Sequence, residues 1–273
     1  MEKVTVIQGR PIFVGSMPYK SGNRVKAPKL LAPCEGPVGE VMFLLNGFLK
    51  KKGFKDSSSI TAFTPAKIFF EDAGEKVRND VGEMMKKEGI RLITEKTVKK
   101  LDANNIYFTD GTSKECALAI LLPEYKPYDF VVESGLGDEA GFIPTDEQMR
   151  HLDFPEIFAV GDATSLSVPK LGHIAVMQAD IAAGAIANEI GKKVEIPKFD
   201  PAILCIMERD KYQATLIYSN ALYSGELDET LDGYIPFLMK WGFDFYYNVT
   251  KGHMPPNFTE ELLIKYLEKR KQV

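Results

Sequence analysis

Pro11-Ile12-Phe13-Val14-Gly15 is a short apolar run closed by glycine, the pattern of a buried strand. The chain that follows it decides the fold. Past a polar, Pro- and Lys-rich loop (residues 16–33), Val38, Val41, Met42, Leu45, Phe48 and Leu49 recur at helical spacing. Ser59-Ile60-Thr61-Ala62-Phe63 reads as the next strand. Residues 73–88 predict a helix ended by Gly89, because glycine readily takes the left-handed backbone of a C-cap. Residues 90–94 give a further strand, and Ile106-Tyr107-Phe108 with the turn Asp110-Gly111 predicts a hairpin. Leu118-Ala119-Ile120-Leu121-Leu122-Pro123 is a buried strand stopped at proline. Strand, helix, strand, helix, strand in this order predicts an α/β fold with a parallel sheet covered by helices.

Three segments are expected: an α/β domain of the dinucleotide-binding (Rossmann) kind over 1–126, a middle segment over 127–195, and a tail over 196–273. In the middle segment, Ile157-Phe158-Ala159-Val160-Gly161-Asp162 reads as a strand ending abruptly in Gly-Asp. A helix over 173–190 follows, rich in alanine (Ala175, Ala179, Ala182, Ala183, Ala185, Ala187), so that it can pack closely on a sheet or a ligand. The tail is aromatic: Tyr234, Phe237, Trp241, Phe243, Phe245, Tyr246 and Tyr247 crowd together. A last helix over 259–271 sets Leu262, Leu263, Tyr266 and Leu267 on one stripe.

The apolar fraction of 45%, the charged fraction of 26% and the net charge of −4 suit an ordinary globular protein and argue against a nucleic-acid partner. No stretch reaches the ~18–20 uninterrupted apolar residues of a membrane span, and Met1-Glu2-Lys3-Val4 lacks a secretory layout. A cytoplasmic protein, soluble or peripheral on a membrane, is expected. Three cysteines (Cys34, Cys116, Cys205) form no disulfide scaffold and have no zinc-type spacing, and the three histidines are scattered. No metal is expected. Reactivity is the better reason for cysteines here, with Cys116 expected as a buried structural thiol.

A strand finishing in Gly161-Asp162 before a helix of small residues suits a flavin. Glycine lets backbone approach the ring, the Asp162 carboxylate can accept from a ribityl hydroxyl, and the amino end of the helix near His173 favours the anionic reduced ring. Cys34-Glu35-Gly36-Pro37-Val38-Gly39-Glu40 puts a thiol at a helix amino terminus. The helix dipole there is expected to stabilise the thiolate, so that Cys34 attacks sulfur near neutral pH. Glu40, one turn into a helix apolar on most sides, is placed to move protons. Read bare, Cys34 is equally a loop thiol and Glu40 a first-turn helix charge.

Residues 157–187 resemble the second FAD-contacting motif of the flavoprotein disulfide reductase superfamily. Within it, Pro169-Lys170-Leu171-Gly172-His173 is similar to the Pro-Lys-Thr-Gly stretch of sulfide:quinone oxidoreductases. Cys34-Glu35-Gly36-Pro37-Val38-Gly39-Glu40 resembles that family's Cys-x-Gly-Pro-x-x-Glu, and Ala202-Ile203-Leu204-Cys205-Ile206-Met207 resembles the strand bearing its other redox cysteine. There an Asp usually stands near the motif's end, where this sequence has Glu208 and Asp210. The resemblance implies an enzyme using FAD, with Cys34, Cys205 and Glu40 catalytic and Gly161, Asp162, Lys170, Gly172 and His173 at the cofactor. It implies electrons passing from sulfide through the cysteine pair and flavin to a quinone held by the aromatic, membrane-facing tail.

The sequence also departs from that family. No GxGxxG occurs in the chain, so residues 127–195 are expected to be only the returning part of an FAD domain. The amino-terminal FAD half is expected as a separate chain or as the lost part of a truncated one. A homo-oligomer is an open alternative. No glycine-rich turn follows Val14-Gly15, and only Gly36 and Gly39 remain of that pattern, which favours sulfide over NADH as donor. Alternative readings are a type-II NADH dehydrogenase-like or other pyridine nucleotide-disulfide flavoprotein, or a non-catalytic fragment that binds a partner.

Overall fold

The structure is a computed structural model that describes residues 10–19, 29–53 and 59–271. Part of the expected 16–33 loop (20–28) lies outside the described residues. The parallel sheet is present, made of β1 (Ile12–Ser16), β2 (Ile60–Phe63), β3 (Arg91–Ile93) and β7 (Leu118–Leu122) in the order β3-β2-β1-β7. Ile12 lies opposite Ile60 on one side and Leu118 on the other. Every residue of β1 and β2 is buried, which is why these strands are written as continuous apolar runs and not as alternation.

Helices α1 (Gly36–Lys51) and α2 (Glu75–Lys87) connect these strands. On α2, Val77, Val81 and Met85 are the buried residues, one stripe at i, i+4, i+8. Gly89 ends the helix as expected, with φ +69 and its N–H on the Lys86 carbonyl at 3.1 Å. At the other end of α2, the Asp228 carboxylate accepts the N–H groups of Gly74, Lys76 and Val77 at 3.0, 2.8 and 3.2 Å. Orphan donors of the first turn are thereby satisfied from a distant part of the chain.

An antiparallel sheet of β4 (Val98–Leu101), β5 (Asn105–Phe108) and β6 (Ser113–Glu115) contains the expected hairpin. Strand β4 was not anticipated. Of its residues only Val98 is buried, so it carries no apolar alternation to read.

The tail forms a third sheet, β8 (Ile203–Asp210), β9 (Gln213–Ser219) and β10 (Asp228–Gly233), antiparallel in the order β10-β9-β8. Ile203, Met207 and Ile217 share one core with Ile12, Val38, Met42, Ile60 and Val77. The tail strands therefore share a core with the parallel sheet of the 1–126 segment. Each fully buried Ile or Phe of this core contributes about 1.5–3 kcal/mol.

One expectation is corrected between α3 (Asp129–Ser134) and α4 (Gly172–Glu189): residues 157–160 are not a strand. Their backbone pairs locally with the loop just before it, through His151 N–H on Ile157 O (2.8 Å) and Ala159 N–H on Met149 O (3.0 Å), with one bridge between Arg150 and Phe158. A 3-10 turn over Gly161–Ala163 then leads toward α4.

The chain closes with α5 (Tyr234–Val249) and α6 (Phe258–Lys271). On α5, Pro236 is the buried residue, while Trp241 and Phe245 are about three-fifths exposed. The α6 stripe splits: Leu267 is buried, and Leu262 and Tyr266 are exposed. No described helix is long and apolar enough to cross a membrane.

Candidate active site

Three glycines on α1 explain how the two halves of the site meet. Gly36, Gly39 and Gly47 face β8, where a Cβ would touch Cys205 Sγ (3.1 Å), Met207 Sδ (2.5 Å) and Asp210 Oδ1 (3.0 Å) respectively. The strand can approach the helix because these positions have no side chain. Gly36 and Gly39, which the sequence offers as remnants of a nucleotide-binding turn, serve this contact. The same point above Gly36 lies 3.6 Å from Cys34 Sγ. Both sulfurs therefore border one small space, although the residues are far apart in the chain.

Cys34 is 4% exposed, and its thiol departs from the sequence expectation. Burial first, then the neighbouring Asp72 carboxylate and the Cys205 sulfur, push it well above the ordinary thiol range. A hydrogen bond from the Gly36 backbone acts in the opposite direction and is outweighed. The helix terminus is present, but desolvation wins. Cys205 is pushed up to about 11 by burial and then by Glu40, with Lys240 opposing.

Two buried acids that sequence reasoning passed over lie here. Glu35, fully buried, accepts the Phe70 N–H at 2.7 Å, and burial pushes its carboxyl upward. Asp72 is 2% exposed, lies against the Cys34 thiol, and is pushed up by burial to about 7. Glu35 fills a variable position of the cysteine motif, and Asp72 stands in no motif. Their signal is a pair of acids placed between apolar runs, visible only once the helix and strand close over them.

Glu40 is half-buried and its surroundings are not the apolar ones expected. Lys240 of α5 reaches it at 2.9 and 3.0 Å, and the Glu208 N–H donates to it at 3.3 Å. Lys240 also lies 3.6 Å from Glu208. Glu40 is thus one arm of an ion-pair network tying α5 to α1 and β8 beside Cys205.

The Gly161–His173 motif is linked to the cysteines by Tyr125, on which both Asp162 and Cys34 act. Gly161 takes φ +68, and its N–H donates to Gln178 Oε1 on α4 at 2.5 Å. Lys170 Nζ donates to the carbonyls of Asp162 (2.5 Å) and Thr164 (3.1 Å) and stands 4.4 Å above the Phe142 ring. Burial brings its pKa down to about 8. Lys170 so holds the Gly161-Asp162 turn in shape. Asp162 and Gly172 are exposed, and His173 Nε2 lies 3.4 Å from Glu260 of α6 without a hydrogen bond.

Tyrosines span the gap between motif and cysteines. Tyr19 donates to the Val168 carbonyl at 3.2 Å and meets Tyr125 edge-on at 5.8 Å. Burial raises both, with Asp162 adding to each, and Cys34 acts on Tyr125. Tyr223 is raised by burial and by Asp72, Tyr19 and Cys34.

Tested against FAD, these residues fit a flavin edge. The first turn of α4 has no side-chain cap, and a Cβ on Gly172 would meet nothing within 4 Å. Nearly two turns on, Gln178 Nε2 is buried with no hydrogen-bond partner among the described residues. An uncapped helix terminus with an orphaned donor suits a ring rich in carbonyl oxygen and nitrogen acceptors.

The profile of the family described as pyridine nucleotide-disulphide oxidoreductase matches residues 54–179. That match covers a little under half of the chain, and members of the family bind FAD. The chain is also similar to mitochondrial sulfide:quinone oxidoreductases. It is 25% identical over 259 residues to that of Dictyostelium discoideum, covering 84% of this chain and 52% of that protein. It is 22% identical to that of Schizosaccharomyces pombe, covering 80% and 49%. The fold is similar to the sulfide:quinone oxidoreductase of Aquifex aeolicus, with a TM-score of 0.77 and 19% identity over 96% of this chain and 64% of that one. The chain spans about half the length of the curated relatives it matches.

Proposed function

We propose that this chain carries the sulfur-handling pair and the flavin-facing motif of an FAD-dependent sulfide:quinone oxidoreductase. The observation supporting this most directly is the convergence of Cys34 Sγ and Cys205 Sγ on the point above Gly36. In the oxidised pair, hydrosulfide attacks one sulfur. The S–S bond breaks, one cysteine is left as a persulfide and the other as a thiolate. Lys240, held by Glu40, lends positive charge beside Cys205 and makes a thiolate there less costly. Bound FAD supplies a two-electron acceptor, and Gly161, Lys170, Gly172 and Gln178 would hold its ring edge. Asp162, exposed at the turn, is free to meet a ribityl hydroxyl. The exposed aromatics of α5 offer an apolar surface for a quinone and for peripheral contact with a membrane.

The test is sulfide-dependent reduction of a short-chain quinone by the FAD-loaded protein. Cys34→Ser and Cys205→Ser should each lower the rate by about 100-fold or more. Rates that survive both substitutions would overturn the reading, as would reduction driven equally well by NADH in the cysteine variants.

A further inference from the structure

We propose that Asp72 is the proton acceptor of the Cys34 thiol. The proposal rests on reading Cys34 as a reactive thiol and goes beyond it by naming the group that makes the thiolate.

The buried acids of this protein are not treated alike. Glu229 pairs with Lys76 at 3.3 Å, and one oxygen of Glu35 receives the Phe70 N–H. Asp72 is as deeply buried, yet both of its carboxylate oxygens lack a hydrogen-bond donor of good geometry among the described residues. A structural carboxylate left in that condition is costly. What Asp72 does face is the Cys34 thiol, near enough to act on it but short of a well-formed hydrogen bond. The other ionisable groups acting around it are Glu71, Glu35, Cys205 and Tyr223. None of these is a cation, so nothing there settles a second negative charge.

That accounting selects the chemistry. Ionising Cys34 to solvent adds a thiolate beside a carboxylate, and each opposes the other. Moving the S–H proton from Cys34 Sγ to an Asp72 oxygen makes the thiolate and leaves a neutral carboxylic acid. The number of charges in the dry space is unchanged, and the new O–H can donate back to sulfur. Burial sets the Asp72 carboxyl at about 7, so the acceptor is available near neutrality.

The consequence is a distinctive pH profile. Below about 7 both groups are protonated, and Cys34 reactivity rises as Asp72 ionises. Above it the pair holds one proton, divided in a fixed ratio, and reactivity levels off. Without the carboxylate, the thiol ionises alone and reactivity climbs about 10-fold per pH unit throughout.

The experiment measures the rate of modification of Cys34 in the reduced protein by methyl methanethiosulfonate, located by mass spectrometry, between about pH 5 and 9. The wild type should bend to a plateau near neutrality. Asp72→Asn should lose the bend, and Asp72→Glu should keep a displaced one. Unchanged Cys116 modification and circular dichroism show that the fold is intact, and the Glu variant decides if the Asn variant does not fold. A wild-type profile without a bend, or a bend retained in Asp72→Asn, overturns the proposal while leaving Cys34 reactive. A Cys34 that does not react at any pH overturns both the proposal and the reading beneath it.

Discussion

Cys34 shows how far local and tertiary effects can diverge at one residue. Its place before α1 favours a thiolate, but its burial and the Asp72 carboxylate favour the thiol more strongly. The helix position was legible in the sequence; Asp72, brought in from another connection, was not. Asp72 leaves a stability signature of its own. Its carboxyl is near 3.8 when exposed and about 7 when folded, so over that window the folded state binds the extra proton. Stability from this group is present below 3.8, falls as pH rises to about 7, and is constant beyond. Urea denaturation at about pH 4 and about pH 7.5 should show Asp72→Asn gaining on the wild type between the two; an equal change in both proteins would remove Asp72 as the cause. Gly36 makes a second residue-scale prediction. A methyl group there lies 3.1 Å from Cys205 Sγ, so Gly36→Ala should slow disulfide formation between Cys34 and Cys205 by about 10-fold while shifting stability by about 1 kcal/mol. Both are read from oxidation kinetics and urea melts of the same variant.

Elements written as apolar periodicity were readable, and those written in partnership were not. β1, β2, α1 and α2 each carry their own pattern of burial. β9 and β10 were hidden among polar and aromatic residues of the tail. Residues 157–160 look like a strand because they are apolar, yet their hydrogen bonds go to the preceding loop. The start of α2 illustrates the same point, since its cap is Asp228, far along the chain. Asp228→Ala should cost about 1–2 kcal/mol in equilibrium unfolding, because first-turn N–H groups lose their acceptor; a change below about 0.3 kcal/mol would mean that water replaces it fully.

At the scale of the molecule, the tail belongs to the same core as the parallel sheet, so the Cys205 strand is fixed on α1 instead of hanging from a linker. Its two helices leave the aromatic residues outward. Trp241 and Phe245 stack at 5.9 Å with 62% and 60% exposure. If this surface seats the protein on a membrane, Trp241→Glu with Phe245→Glu should abolish sedimentation with lipid vesicles while changing stability by no more than about 0.5 kcal/mol. Unaltered sedimentation would assign the surface another role. The proposed pairing of Cys34 with Cys205 was legible only through resemblance, since spacing alone cannot bring residues 34 and 205 together.

The direct test of that pair is mild oxidation followed by digestion without reduction and mass spectrometry of the linked peptides. The account predicts one dominant peptide joining Cys34 to Cys205, with Cys116 left free. Linkages through Cys116, or two thiols at 34 and 205 that stay unlinked in the folded protein, would contradict it.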